Sequence, residues 1–408
     1  MTIDSETRLF LELEERYSAH NYHPLDVVLS RGEGAFVFDV EGRRYLDCLA
    51  AYSAVNQGHC HPRIVAAMRR QLERLTLTSR AFRNDRFGPL CEKLTKLCGY
   101  DKALLMNSGA EAVETAIKAA RKWGYEVKGI ADGEARIAVF DANFHGRTST
   151  IVGFSTDVQS RRGFGPFAPG FDVYPYGSHS ELRAALESGL SKTTCAVLVE
   201  PIQGEAGVIV PPADFLKGLR ALCDEHEILL ICDEIQSGLG RAGSLFAHTL
   251  AGIRADAVTI GKALSGGVYP VSAFLADDAV MAVFTPGTHG STYGGNPLAC
   301  AAAEAALDVL VDEGLIEKSR ILGEHALRTL RAAELRVVRE LRGAGLWLGI
   351  ELHAEAGGAR RYCEELQARG ILAKETHTHT IRVAPPLVIT REELDEALAT
   401  FIDVLRGH

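Results

Sequence analysis

The residues best placed to do chemistry are a serine–glycine turn, an aspartate and a lysine, each of which follows an apolar run. Asn107-Ser108-Gly109-Ala110-Glu111 lies between ALLM and VETAIKAARKWGY. It reads as a strand end, a tight turn and a helix start, with Ser108 and Glu111 at capping-box spacing. The first N–H groups of a helix lack intrahelical acceptors and its dipole is positive there, so Ser108, Gly109 and Ala110 suit a phosphate. ILLICDEIQSG is a buried-strand pattern that closes on Asp233, Glu234 and Gln236. Carboxylates at the carboxyl end of a parallel strand stand where open α/β sheets bind ligands. DAVTI closes on Gly261-Lys262, followed by Ser265-Gly266-Gly267. A lysine just past a buried strand loses water around its ammonium, which lowers its pKa and makes it a nucleophilic amine. Singly, these are an ordinary capped helix, a strand-end acid and a surface charge. Together they are the three handles of pyridoxal phosphate: a phosphate cradle, an acid for the pyridine nitrogen and an amine for the aldehyde.

One competing motif needs weighing. Gly238-Leu239-Gly240-Arg241-Ala242-Gly243 fits G-x-G-x-x-G and follows a strand pattern. A dinucleotide fingerprint needs its first glycine at the strand-to-helix turn itself, but DEIQS intervenes and no helical pattern opens in the glycines. His59-Cys60-His61 has no second half to complete a metal site and reads as a turn before a helix.

The elements that must position these groups are legible in part. An acidic amphipathic helix opens the chain, with Leu9, Phe10 and Leu13 as its apolar stripe. AFVF at 35–38 and RYLDCL at 44–49 read as a hairpin turning through Glu41-Gly42-Arg43. Strand patterns at 103–106, 136–140, 195–199, 228–232, 256–260 and 271–275 alternate with helical ones, which predicts a mainly parallel sheet covered by helices. The Gly/Pro-rich stretch at 162–178 stays ambiguous. After Pro297 a long Ala/Leu-rich helix leads to a second helix over 316–334, strands near 346–352 and 380–384, and a last helix capped by Thr390 and Glu393. The expected division is an N-terminal segment over 1–45, a large domain over 46–295 and a smaller C-terminal α/β domain over 296–408.

Composition narrows the class. With 408 residues, 47% of them hydrophobic, the chain can bury a large core. A net charge of −9 gives no footprint for nucleic acid, and no apolar run approaches the roughly 18 residues of a membrane span. Asp4, Glu6, Glu12, Glu14 and Glu15 near the start do not fit a signal or transit peptide, so a cytoplasmic location is expected. The nine cysteines lack paired spacings and read as reduced thiols.

Across essentially its whole length the chain resembles the class III aminotransferases of fold type I. The resemblance is carried by NSGAEAVETAIKAAR, NFHGRT, EPIQGEAGVIVPP, ICDEIQSGLGRAG, GKALSGGVYPVSA and HGSTYGGNPLACAAA. Within the family the chain is most similar to the ornithine-using branch, through YSAHNYHPL, YSAVNQGHCHP, LTLTSRAF, RKWGYEVKGI and ILAKETHTHTIRVAPPLVI. The resemblance implies a mainly parallel seven-stranded sheet between helices, with a smaller C-terminal α/β domain. Lys262 is then expected to carry pyridoxal phosphate through its ε-amine and to shuttle the substrate proton, while Asp233 keeps the pyridine nitrogen protonated. Gln236 would hydrogen-bond the ring's phenolic oxygen, and Phe144 would stack on the ring. Ser108, Gly109 and Ala110 would hold the phosphate, helped by Thr292 of a second subunit, which implies a homodimer.

The same resemblance implies the substrates. L-Ornithine would give its δ-amino group to 2-oxoglutarate, forming glutamate-5-semialdehyde and glutamate; N-acetylornithine or another ω-amine is the alternative donor. An acceptor with two carboxylates calls for two arginine forks, Arg147 and Arg382. Ornithine, presenting its distal amine, leaves one carboxylate for Arg147 and needs Arg382 masked, the part that falls to Glu205. Tyr22 would hydrogen-bond the α-amine, and Tyr52 would line the pocket. His145 stands where these relatives usually carry tryptophan, a departure expected to affect packing more than chemistry.

Overall fold

The computed structural model describes residues 5–407. Near the start, β1 (Leu29–Glu33), β2 (Phe36–Asp39) and β3 (Arg44–Asp47) form an antiparallel meander. The hairpin expected from AFVF and RYLDCL is present, with Phe36 opposite Leu46. Asp39 closes its turn by accepting from Arg43 N at 2.7 Å, and Tyr45 donates to its other oxygen at 2.8 Å.

The central sheet comprises β4 (Lys102–Met106), β5 (Arg136–Phe140), β6 (Phe171–Tyr174), β7 (Thr194–Val199), β8 (Leu229–Asp233), β9 (Ala257–Ile260) and β10 (Ser272–Ala276). Their order is β4-β10-β9-β8-β7-β5-β6, and β10 alone runs against its neighbours. Since β4 and β9 both pair antiparallel with β10, six strands share one direction and their carboxyl ends share one edge. The seven-stranded, mainly parallel sheet is thus as predicted. β7 and β8 are buried at every residue, because both faces are covered. Alternation sorts the side chains: Ile137 and Val139 pack with Val113 and Ile117 of the helix Gly109–Glu126, whereas Ala138 and Phe140 pack with Phe215 and Leu219 of the helix Phe215–Glu225. Missing from the sequence reading was β6, inside the ambiguous Gly/Pro-rich stretch. It is a short, half-buried edge strand, so no continuous apolar run marks it.

The remaining strands are β11 (Val338–Gly343), β12 (Leu348–Leu352), β13 (Ile371–Leu372), β14 (Lys374–Thr376) and β15 (Thr380–Val383). Four of them form an antiparallel sheet in the order β11-β12-β15-β14, while β13 pairs in parallel with β3. The helices Leu315–Ala332, Arg360–Ala368 and Arg391–Arg406 accompany them, the last with the Thr390/Glu393 capping box in place. The helix Pro297–Asp312 begins with Asn296 accepting from Ala299 N at 2.9 Å and is buried along most of its length, as its lack of a polar face requires. No helix among the described residues is long and apolar enough to cross a membrane.

Candidate active site

Residues that follow β4, β5, β7, β8 and β9 line a cavity of about 190 Å³ at the carboxyl edge of the central sheet. Gly109, Ala110, Phe144, Asp233, Gln236 and Lys262 all face it. They lie far apart in sequence and meet because parallel strands deliver their carboxyl ends to one place.

Ser108 caps the helix Gly109–Glu126: Glu111 N donates to Ser108 Oγ at 3.3 Å, and Ser108 N donates to Glu111 Oε2 at 2.7 Å. Ser272 of β10 anchors the turn by donating to the Ser108 carbonyl at 2.7 Å. A Cβ at position 109 would stand 3.0 Å from the Ile235 side chain, so a larger residue would press on the loop that follows Asp233.

Asp233 is held on both oxygens. Oδ1 accepts from Ile235 N and Thr259 Oγ1, each at 3.1 Å, and Oδ2 lies 2.7 Å from His145 Nδ1. Burial disfavours a charged histidine, but the hydrogen bond and charge of Asp233 outweigh it and raise the His145 pKa. The acid is therefore oriented and paired, as a partner for a protonated ring nitrogen must be. Lys262 opens a short 3₁₀ turn with φ +41°, a left-handed conformation that is costly for a side chain with a Cβ and concentrates at functional positions. Burial lowers its pKa, against the pull of Asp233, Glu205 and Glu200. Its amine has no hydrogen-bond or ion-pair partner among the described residues. Gln236 is locked from behind: a Cβ at Gly204 would stand 2.3 Å from Gln236 Oε1 and 2.6 Å from the buried Trp347 ring. Helix-start N–H groups, an aromatic ring, an oriented carboxylate and an unpartnered buried amine together fit pyridoxal phosphate.

Next to this cavity Arg382 of β15, 3% exposed, pairs with Glu205 Oε1 at 2.5 Å. Its guanidinium also lies 4.8 Å from the centroid of the Tyr52 ring. Thr376 Oγ1 donates to the Glu205 carbonyl at 2.5 Å, which pins that backbone while the side chain reaches the arginine. Tyr52 sits in a left-handed turn, with φ of 48°, 46°, 58° and 75° at Ala50, Ala51, Tyr52 and Ser53. Tyr22 and Tyr52 line a neighbouring, mostly apolar cavity of about 520 Å³, and Tyr22 is 74% exposed. Arg147 is exposed, 5.6 Å from the Phe144 ring centroid, and has no acidic partner among the described residues. Thr292 is exposed and does not line the cofactor cavity of its own chain, although Asn107 Nδ2 donates to the adjacent Ser291 Oγ at 2.9 Å.

Two site residues escaped the sequence reading. His145, expected to affect packing more than chemistry, bonds directly to Asp233, which faces the same cavity. The chain turns at Gly146, φ +133°, and places Phe144 and His145 against the cavity together. Glu200, just past β7, accepts from Phe144 N at 2.9 Å; burial, reinforced by Asp233, pushes its pKa up to about 7. Its strand-end position carried the same signal that singled out Asp233.

The aminotransferase class-III family model matches residues 17–405. An ornithine aminotransferase of Bordetella pertussis is 59% identical over 96% of this chain and 94% of its own length. The crystal structure of the ornithine aminotransferase of Toxoplasma gondii superposes with a TM-score of 0.96 at 44% identity, covering 100% of this chain and 96% of the other. That of an acetylornithine aminotransferase of Elizabethkingia anophelis superposes with a TM-score of 0.91 at 50% identity, covering 98% and 99%. These matches place the chain, whose cavity holds a lysine and an acid that fit the cofactor, in the class-III aminotransferases, enzymes that depend on pyridoxal phosphate.

Proposed function

We propose that this aminotransferase moves the δ-amino group of L-ornithine to 2-oxoglutarate in two half-reactions, yielding glutamate-5-semialdehyde and then glutamate, and that it works as a cytoplasmic homodimer. The observation that carries the reading is the Glu205–Arg382 ion pair, near enough to Lys262 for both charges to act on its amine. A donor with one carboxylate needs one cationic clamp, and the pair leaves Arg147 as that clamp. An acceptor with two carboxylates needs both arginines, so Glu205 must release Arg382 in the second half-reaction.

When bound, pyridoxal phosphate supplies an electron sink for the carbanion that forms on deprotonation. The protein does the rest. Asp233, oriented by His145 and Thr259, keeps a proton on the ring nitrogen. Lys262, its pKa lowered by burial, takes the proton from the amine-bearing carbon and returns it. Phe144 would pack on the ring, Gln236 would bond its phenolic oxygen, and Ser108, Gly109 and Ala110 would hold the phosphate. Thr292, exposed in its own chain, joins the phosphate site of the second subunit. Tyr22 contacts the α-amine, and Tyr52 borders the carbon chain.

A second reading, with N-acetylornithine or another ω-amine as donor, is favoured by the 50% identity to the acetylornithine enzyme. An acetylated nitrogen has no charge for Tyr22 to recognise. The ratio of kcat/KM for ornithine over N-acetylornithine, with 2-oxoglutarate as acceptor, is expected to exceed about tenfold, worth ~1.4 kcal/mol. A ratio below one overturns the ornithine reading.

A further inference from the structure

The glycine-rich loop that mimics a dinucleotide motif has a different use. At its centre, Arg241 is 0% exposed and has no ion-pair partner among the described residues. Its Nη1 donates to the carbonyls of Leu346 and Pro385, each at 2.7 Å, and its Nη2 donates to Asn56 Oδ1 at 2.5 Å. Those three acceptors come from three distant stretches of chain. Asn56 lies four residues past Tyr52, in the segment of the left-handed turn, and its amide donates back to Leu239 O at 3.1 Å. Pro385 lies three residues past Arg382 at the end of β15. Leu346 is in the β11–β12 connection, and Leu346 N donates at 3.0 Å to Ser319 Oγ, which in turn donates to the Arg241 carbonyl at 3.1 Å. Arg241 itself follows Gln236 by five residues.

We infer that Arg241 is a positioning residue: its buried guanidinium fixes the Tyr52 and Arg382 segments against the loop that carries Gln236, and so sets the carboxylate-binding side of the site without touching substrate or cofactor. This rests on the reading in which Arg382 and Tyr52 face the substrate.

The chemistry selects arginine. Three acceptors approach from different directions, and a planar fork serves them together, whereas an ammonium is a compact, strongly hydrated point charge. Burial pulls the Arg241 guanidinium down to about 9, which leaves it cationic at neutral pH. A lysine, starting from a lower pKa, would give up its charge more readily in the same place. No carboxylate among the described residues pairs with it, so its two terminal nitrogens donate to carbonyl and amide oxygens, and losing them strands three acceptors.

The test compares Arg241→Lys, Arg241→Gln and Asn56→Ala with the wild-type holoenzyme. Cofactor affinity, read from the visible absorbance of the bound cofactor, is expected to stay within about threefold, because Lys262, Asp233 and Ser108 are untouched. KM for 2-oxoglutarate is expected to rise roughly tenfold or more in both arginine variants and several-fold in Asn56→Ala, with kcat within about threefold. Combining Arg241→Gln with Asn56→Ala should add little, since both cut one tether. A lower melting temperature with unchanged KM in the folded enzyme would overturn the inference, as would a cofactor affinity that falls in step with KM. If the arginine variants do not fold, Asn56→Ala decides alone: an unchanged KM refutes the tether. Arg382→Ala separates the two readings. If it leaves the KM for 2-oxoglutarate unchanged, the substrate-site reading fails; if it raises KM while the tether variants do not, only the inference about Arg241 fails.

Discussion

His145 Nδ1 lies 2.7 Å from Asp233 Oδ2, and both side chains are closed off from solvent. Both line the cavity proposed to hold the cofactor, where the carboxylate would have to stay ionised to hold a ring proton. His145 is the hydrogen-bond partner that would hold it there, and Asp233 in turn raises the histidine's pKa against the effect of burial. Removing the ring nitrogens in His145→Leu leaves Asp233 Oδ2 without its partner, a loss worth about 1–3 kcal/mol. The expected result is a folded protein whose kcat falls roughly 10- to 100-fold, with a shifted visible spectrum of the bound cofactor. His145→Asn, whose amide still donates, should recover part of the loss; equal activity in all three proteins would remove His145 from the mechanism.

Lys262→Ala is expected to lower turnover by about 10⁴-fold, since the proposed proton carrier is gone. The protein should still fold and bind the cofactor non-covalently. Loss of turnover together with an unchanged melting temperature confirms the role, whereas turnover near the wild-type rate refutes it.

Glu205→Ala takes the partner from Arg382. Thr376 holds only the Glu205 carbonyl, so the backbone is expected to stay in place while the guanidinium becomes free. Preference, measured as the ratio of kcat/KM for glutamate to that for ornithine, should swing toward the dicarboxylate by roughly tenfold or more, about 1.4 kcal/mol. An unmoved ratio would show that the ion pair plays no part in selecting the donor.

Thr292 tests whether the phosphate site is shared. Mixing subunits that carry Lys262→Ala with subunits that carry Thr292→Ala should regenerate one intact site per mixed dimer if the threonine acts across the interface. At limiting cofactor, activity well above that of either parent is expected. If the threonine serves its own chain, the mixture gains nothing.

The pH dependence of stability follows from Glu200, which accepts from Phe144 N and is pushed up to about 7 mainly by burial. An acid whose folded pKa exceeds its unfolded value binds more protons when folded, so stability falls as pH rises from about 4.5 to about 7. His145, also raised, acts in the same direction: its contribution is complete below the unfolded pKa and is lost as pH passes the folded one. Glu200→Gln keeps an acceptor for Phe144 N and removes the carboxylate's share, on the order of 3 kcal/mol. Urea unfolding between pH 4.5 and 8 is expected to show a flatter profile in that variant, and an unchanged slope would contradict the assignment.

What could be read in the sequence was local or strongly periodic. The Ser108/Glu111 and Thr390/Glu393 boxes act over three residues, and the hairpin turn at Glu41-Gly42-Arg43 over even fewer. The runs in β7 and β8 stand out because strands covered on both faces need unbroken apolar sequence. Lys262 and Asp233 were legible because each closes such a run. Resemblance to a family added Arg147, Glu205, Arg382 and Thr292, whose types and spacings alone single out nothing.

Tertiary structure decided the rest. β6 and β13 are too short and too weakly patterned to announce themselves, and they become strands only when β5 and β3 offer an edge to pair with. His145 and Asp233 are 88 residues apart, and Arg241 reaches Pro385 across 144. Neither has a signature in sequence: the backbone carbonyl that Arg241 reaches is a group every residue carries, and nothing near His145 in the chain says which distant carboxylate it will meet. Lys262 began as one lysine past an apolar strand; its amine becomes reactive only once five strand ends close around it and exclude water, which a sequence encodes but does not display.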